Sequence, residues 1–171
     1  MFQKELGFGT IDGLPHKEKG TIGEMLSGIC LKSQLRQNPT LTANIEIDDP
    51  NPRVWISHIN GPTVVQRLSF VDDSSIGGDS GEKIQWEPDF SFEMTLPAYN
   101  VRQRIFIETK TGDSRPGGSQ PTAMRSAADQ ADPVSTTGLD QPTTPDERVV
   151  VLCQVEYNDT KANLSYERIE P

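Results

Sequence analysis

Apolar and polar residues alternate over short stretches along most of this chain, the signature of half-buried β-strands. Residues 89–96 show it best, with Phe90, Phe92, Met94 and Leu96 on one face and Ser91, Glu93 and Thr95 on the other. Residues 41–48 repeat the pattern, with Leu41, Ala43, Ile45 and Ile47 set against Thr42, Asn44, Glu46 and Asp48. Residues 101–109 place Val101, Ile105 and Ile107 on a common face. Further strands are predicted over 28–35, 53–59, 63–71, 83–86, 148–157 and 162–169. The 148–157 segment is apolar on both faces through Val149, Val150, Val151 and Leu152, which suits a central strand. Asp49-Pro50-Asn51-Pro52 and Asn60-Gly61-Pro62 read as turns, because proline fixes φ and removes a donor.

Outside residues 110–147 no segment shows a helical period over ten residues. The predicted class is therefore all-β: a single antiparallel β-sandwich or barrel-like domain of about 8–9 strands, the usual way to protect many short strands. Residues 1–26 contain five glycines and scattered apolar positions (Phe2, Leu6, Phe8, Ile11, Leu14) with no sustained period. Glycine disfavours helix, so this stretch reads as an extended N-terminal arm lying on a surface. The β domain then occupies 27–171, with a low-complexity insertion loop over 110–147. That loop has no aromatic residue, five prolines and four glycines. Such composition does not offset an ordering cost of roughly 1–2 kcal/mol per residue. Residues 122–131 alone carry helix propensity, and Met124, Val134 and Leu139 are the loop's few apolar anchors.

Composition narrows the function classes. Hydrophobic residues make up 33% of the chain and the formal net charge is −9. An acidic surface is poorly suited to neutralising phosphates, so nucleic acid is not an expected partner. Arg102 and Arg104 form the densest basic pair and read as a solvated strand face. No stretch is long and apolar enough for a membrane span, and no membrane partner is expected. Cys30 and Cys153 each sit in an apolar run, where buried free thiols are the default. The N-terminus lacks a signal-peptide pattern, which points to a reducing cytosol.

Candidate chemistry is sparse. Gly78-Asp79-Ser80-Gly81 matches a serine-protease nucleophile signature, but the only histidines, His16 and His58, do not stand in the spacing a catalytic triad of that kind shows. Asp72, Asp73, Asp79 and Glu82 could ligate Ca²⁺, yet their spacing is not that of an EF-hand. The two Cys and two His are not spaced for zinc. Glu46 and Asp48 share a strand face, as glycosidase carboxylates can, but outward strand carboxylates are ordinarily solvated. No catalytic residue, metal or cofactor is assigned, and the chain is read as a non-enzyme.

Arms and core-poor loops allow a small body to bury area against neighbours. In this respect the architecture is similar to that of virion accessory proteins of tailed phages. That likeness implies a capsid decoration or cement protein, or a neck or tail component, made in the host cytoplasm. Its partners would be protein subunits of a larger assembly, including its own copies. The expected interface residues are Phe2, Leu6, Phe8, Ile11, Leu14, Trp86, Met124, Val134 and Leu139. The alternative is a cytoplasmic β-sandwich module binding carbohydrate or peptide through exposed aromatics such as Trp86.

Overall fold

The computed structural model describes residues 2–7, 11, 13–42, 53–58, 60–61, 64–65, 67–72, 82–96, 101–131, 135–137, 147–158 and 160–171. In chain order the elements are β1 (Phe2–Gly7), α1 (His16–Gln37), a 3-10 turn (Pro39–Leu41), β2 (Arg53–His58), β3 (Asn60–Gly61) and β4 (Val64–Val65). There follow β5 (Arg67–Asp72), β6 (Glu82–Trp86), β7 (Phe90–Leu96), β8 (Val101–Thr111), α2 (Gln120–Ala128), β9 (Ser135–Thr137), β10 (Glu147–Asn158) and β11 (Lys161–Arg168).

Six strands form one mixed sheet in the order β1-β11-β10-β8-β7-β2. Its neighbours pair antiparallel except β8 and β10, which run parallel. A smaller antiparallel sheet has the order β6-β5-β9. The protein is mostly β, as the alternation predicts, but a mixed sheet carrying helices replaces the expected antiparallel sandwich or barrel. The parallel pair explains the segment read as an insertion. Parallel neighbours cannot be joined by a hairpin and need a crossover of a dozen or more residues. The chain between β8 and β10, bearing α2 and β9, is that crossover.

Alternation along the central strands feeds two cores. Ile105, Ile107, Val149, Val151, Cys153 and Val155 join Phe90, Phe92, Met94 and Leu164 beneath Leu31 and Leu35 of α1. Phe106 and Val150 point the other way, and pack with Ala123, Met124 and Ala127 of α2 and with Leu68, Phe70, Ile84 and Trp86 of the small sheet. A central strand buried on both faces must be apolar on both, which accounts for the uninterrupted valines of β10.

Helix α1 corrects two expectations: the extended arm over residues 16–26 and the strand over 28–35. Its buried residues are Gly23, Ser27, Gly28, Leu31 and Leu35, so positions 23, 27, 31 and 35 line one face at a spacing of four. Half of that stripe is glycine and serine, which carry no hydrophobic signal. The small residues allow close approach to the sheet. A Cβ on Gly23 would stand 2.8 Å from Thr111 Cγ2 and 3.2 Å from the Tyr157 hydroxyl. Tyr157 also donates from its hydroxyl to the Lys19 carbonyl at 2.8 Å, and Tyr166 donates to the Ser27 carbonyl at 2.8 Å. The first residues form the edge strand of the sheet: β1 pairs along β11, and the Phe2 ring stacks on Tyr166 at 4.4 Å. Arg104, expected on a solvated face, is buried and pairs with Glu93 at 3.2 Å.

Two glycines of α1 should therefore respond oppositely to alanine. Around Gly20 nothing lies within 4 Å of an added Cβ, so Gly20→Ala should stabilise by about 0.4–1 kcal/mol through helix propensity and the unfolded state. Gly23→Ala should lose that gain to the clash with Thr111 and lower the melting temperature. Thermal unfolding of the two variants beside wild type checks this, and a stabilised Gly23→Ala would refute the close approach.

Candidate functional site

The antiparallel pairing of β7 with β8 sets Phe90 opposite Ile107. One residue before the strand, the Asp89 N–H donates to the Ile107 carbonyl at 2.9 Å. This carries the ladder out to the point where Asp89 lies beside Glu108. The Thr109 N–H donates to Asp89 Oδ2 at 2.7 Å. Pro88 precedes Asp89 and is buried; proline is tolerated there because it stands just outside the ladder.

Glu108 is 2% exposed, and a buried carboxylate requires donors. Three elements supply them. Trp86 at the end of β6 donates from Nε1 to Oε2 at 2.6 Å. Lys110, two residues along β8 and so on the same face, donates from Nζ to Oε1 at 2.6 Å. Gln120 at the start of α2 donates from Nε2 to Oε1 at 3.3 Å.

From the other side of the sheet, α1 brings Glu24 into the electrostatic reach of Asp89. Ser27, one turn on, fixes the helix at this height. Its hydroxyl lies 2.7 Å from Thr109 Oγ1 in a buried contact and bonds the Glu24 carbonyl at 2.8 Å. Burial pushes the Asp89 carboxyl up from 3.8 to about 7. The charges of Glu108 and Glu24 push the same way, opposed by the Thr109 N–H and by Lys110.

This is an excess of negative charge, with Glu108 buried, Asp89 and Glu24 partly so, and Lys110 beside them, an arrangement that a bound cation relieves. Among the described residues no three His, Cys, Asp or Glu side chains lie close enough to hold a metal by themselves. The donor set is therefore not a closed zinc or calcium cage. It fits Mg²⁺ or Mn²⁺: Mg²⁺ commonly takes one or two carboxylates and completes its shell with water and phosphate oxygens. Asp89 and Glu108 are the residues that would hold it.

Of the expected interface residues, Trp86 is brought to this site, as a donor to Glu108 and not as a surface anchor. Ile11, Trp86 and Met124 are buried within their own chain at 4%, 1% and 1% exposure, so Trp86 is no exposed platform and Met124 is no anchor for a neighbour. Their apolar bulk fills the intramolecular cores. Phe2 lies on β1 against Tyr166, and Leu14 is partly buried. The Leu6 backbone pairs with Ala162. Phe8, Val134 and Leu139 lie outside the described residues, as do the Gly78–Gly81 tetrapeptide, Glu46 with Asp48, and most of the 72–82 acidic loop. Both cysteines are free, Cys153 buried and Cys30, on α1, partly so. Burial raises the Cys153 thiol to about 12. No helix among the described residues is long and apolar enough to cross a membrane.

The mixed sheet thus sets an acid just before one strand beside an acid–x–lysine triplet on its neighbour. Residues 32–155 match the PD-(D/E)XK nuclease superfamily domain, and the chain belongs to that superfamily. The letters of that name are present in order as Pro88-Asp89 and Glu108-Thr109-Lys110. No curated protein and no solved structure matches the chain. The match overturns the reading as a non-enzymatic virion component, with decoration, neck and tail roles alike, and that as a carbohydrate- or peptide-binding module. The missed signal is short: an acid after a proline, and a Glu-x-Lys triplet at the end of the next strand, its Glu and Lys on one face. Lys110 falls in the segment whose composition reads as a loop, and Asp89 reads as the opening of a strand.

The Asp89 shift sets a pH dependence. The folded state holds this proton more tightly than the unfolded chain. Its contribution to stability is therefore present below about pH 4 and lost as the pH rises to about 7. In cation-free buffer, wild type should lose stability over that window relative to Asp89→Asn, which has no such proton. Urea unfolding of both proteins from pH 4 to 8 measures the difference, and parallel profiles would contradict the assignment.

Proposed function

We propose that the protein is a cation-dependent nuclease that hydrolyses phosphodiester bonds of nucleic acid. The observation that carries this reading is the convergence of Asp89, Glu108 and Lys110 on adjacent strands, within the matched region. In hydrolysis the oxygen of water forms a bond to phosphorus, one P–O ester bond breaks, and the leaving oxygen takes a proton. A divalent cation held by Asp89 and Glu108 supplies Lewis-acid activation of the phosphate and a more acidic bound water.

The chain's own groups do the rest. Asp89 and Glu108 orient the reacting centre from two strands that cannot move independently, because the ladder between them is closed by the Asp89 and Thr109 N–H bonds. Lys110 has three ammonium donors. One is directed to Glu108, and the charge beside it stabilises the negative charge that builds on phosphate oxygens in the transition state. Glu24 adds a further carboxylate at the edge of the site. The net charge of −9 works against adhesion to a polyanion, so affinity must come from this site and local contacts and not from a basic surface.

The test is cleavage of single- and double-stranded DNA and of RNA with Mg²⁺ or Mn²⁺, with chelator as control. Wild type should cleave at least one of these, and chelator should stop it. Asp89→Asn, Glu108→Gln and Lys110→Ala should each lower the rate by about a hundredfold or more. Failure of wild type to cleave any of them with either cation, or full activity in Asp89→Asn, would remove the proposal.

A further inference from the structure

Trp86 belongs to the small sheet, outside the strands that carry the acid and lysine motif, yet it reaches the motif directly. We infer that Trp86 is a positioning residue that aims the Glu108 carboxylate at the cation, an inference that rests on the nuclease reading above. The indole is 1% exposed and packs edge-on to Phe106, with ring centroids 5.9 Å apart and planes at 71°. It belongs to the same core as Leu68, Phe70, Ile84 and Met124. A ring held this way has no freedom to follow a moving partner, so its N–H is a fixed point in the core.

Glutamate has three rotatable side-chain bonds and would otherwise sample several rotamers. Trp86 Nε1 holds Oε2 at 2.6 Å, while Lys110 and Gln120 hold Oε1. The carboxylate is thus gripped at both oxygens: Oε1 has both lone pairs taken, and Oε2, the oxygen that Trp86 fixes, keeps one for a cation. Phenylalanine would fill the same apolar space. The N–H has one partner here, Glu108, and the fixed donor is what distinguishes tryptophan at this position. Groups that orient metal ligands commonly contribute 10–100-fold to metal affinity.

The experiment is calorimetric titration of the full chain with Mn²⁺, comparing wild type with Trp86→Phe and recording a thermal melt of each without metal. Mn²⁺ affinity should fall about tenfold or more in Trp86→Phe. A second arm uses Trp55→Phe, which leaves Trp86 as the only tryptophan of the sequence. Mn²⁺, being paramagnetic, should quench its emission with a midpoint at the calorimetric Kd, and Glu108→Gln in that background should abolish the quenching. A melting temperature that falls while Mn²⁺ affinity stays at the wild-type value would overturn the inference and leave Trp86 a packing residue. Should Trp86→Phe not fold, absence of saturable quenching in Trp55→Phe overturns it equally. Wild type that binds no Mn²⁺ at all refutes the nuclease reading itself, a result distinct from either of these.

Discussion

Two carboxylates set side by side in a protein interior repel each other and lose their water, and much of the surrounding fold answers that cost. Asp89 and Glu108 come together because β7 and β8 pair antiparallel to their ends. Donors then arrive from every side: a backbone N–H for Asp89, and an indole, an ammonium and an amide for Glu108. They do not neutralise the pair completely, since Asp89 still has its proton affinity raised to about 7. An enzyme that needs a cation gains from that residue of repulsion. Charge strain of this kind is relieved when a cation binds, and so would add to cation affinity.

The connection between β8 and β10 follows from the same place. Strand β8 carries the acid–x–lysine triplet and sits in the middle of the sheet, with β10 parallel beside it. The crossover that this pairing requires brings Gln120 over Glu108, and α2 with Met124 over the second core. On the opposite face the small-residue stripe of α1 lets the helix lie low, and Ser27 pins it to Thr109, the middle residue of the triplet. Thr109 therefore faces α1 while Glu108 and Lys110 face α2, and one strand couples both layers to the site. Far from it, Gln103 makes a buried link to Thr42 and Glu147, securing the other end of β8.

Strands were legible in the sequence wherever one face was buried, as in β7 and β8, because alternation is a direct record of which face meets the core. The double-faced β10 was legible by its valines. Helix α1 was not, because Gly23 and Ser27 buy nothing in hydrophobicity and achieve their packing by absence of bulk, which a pattern of apolar residues does not register. The parallel pairing was hidden as well. A crossover poor in apolar residues looks like a loop until the strands it joins are known to run the same way, and α2 contributes mainly alanines and one methionine to the core. Asp89 and Lys110 were individually unremarkable at strand ends, where charges normally meet solvent. Only the register of β7 against β8 makes them one constellation.

The acidic balance of the chain also takes on a different meaning. Net charge governs long-range attraction and non-specific adhesion, and at −9 it argues soundly against a protein that coats nucleic acid. It does not argue against one that cuts it. Hydrolysis needs stabilisation of charge on one phosphate at a time, over distances shorter than the Debye length of about 8 Å at physiological salt. Within that distance the local charges decide, and here they are two clustered strand acids and a lysine. Acidic side chains repel phosphate when alone and attract it through a shared cation when paired. The feature that seemed to exclude the substrate is thus compatible with a site in which the cation is the chief phosphate-binding element, and the protein's part is to hold that cation in place.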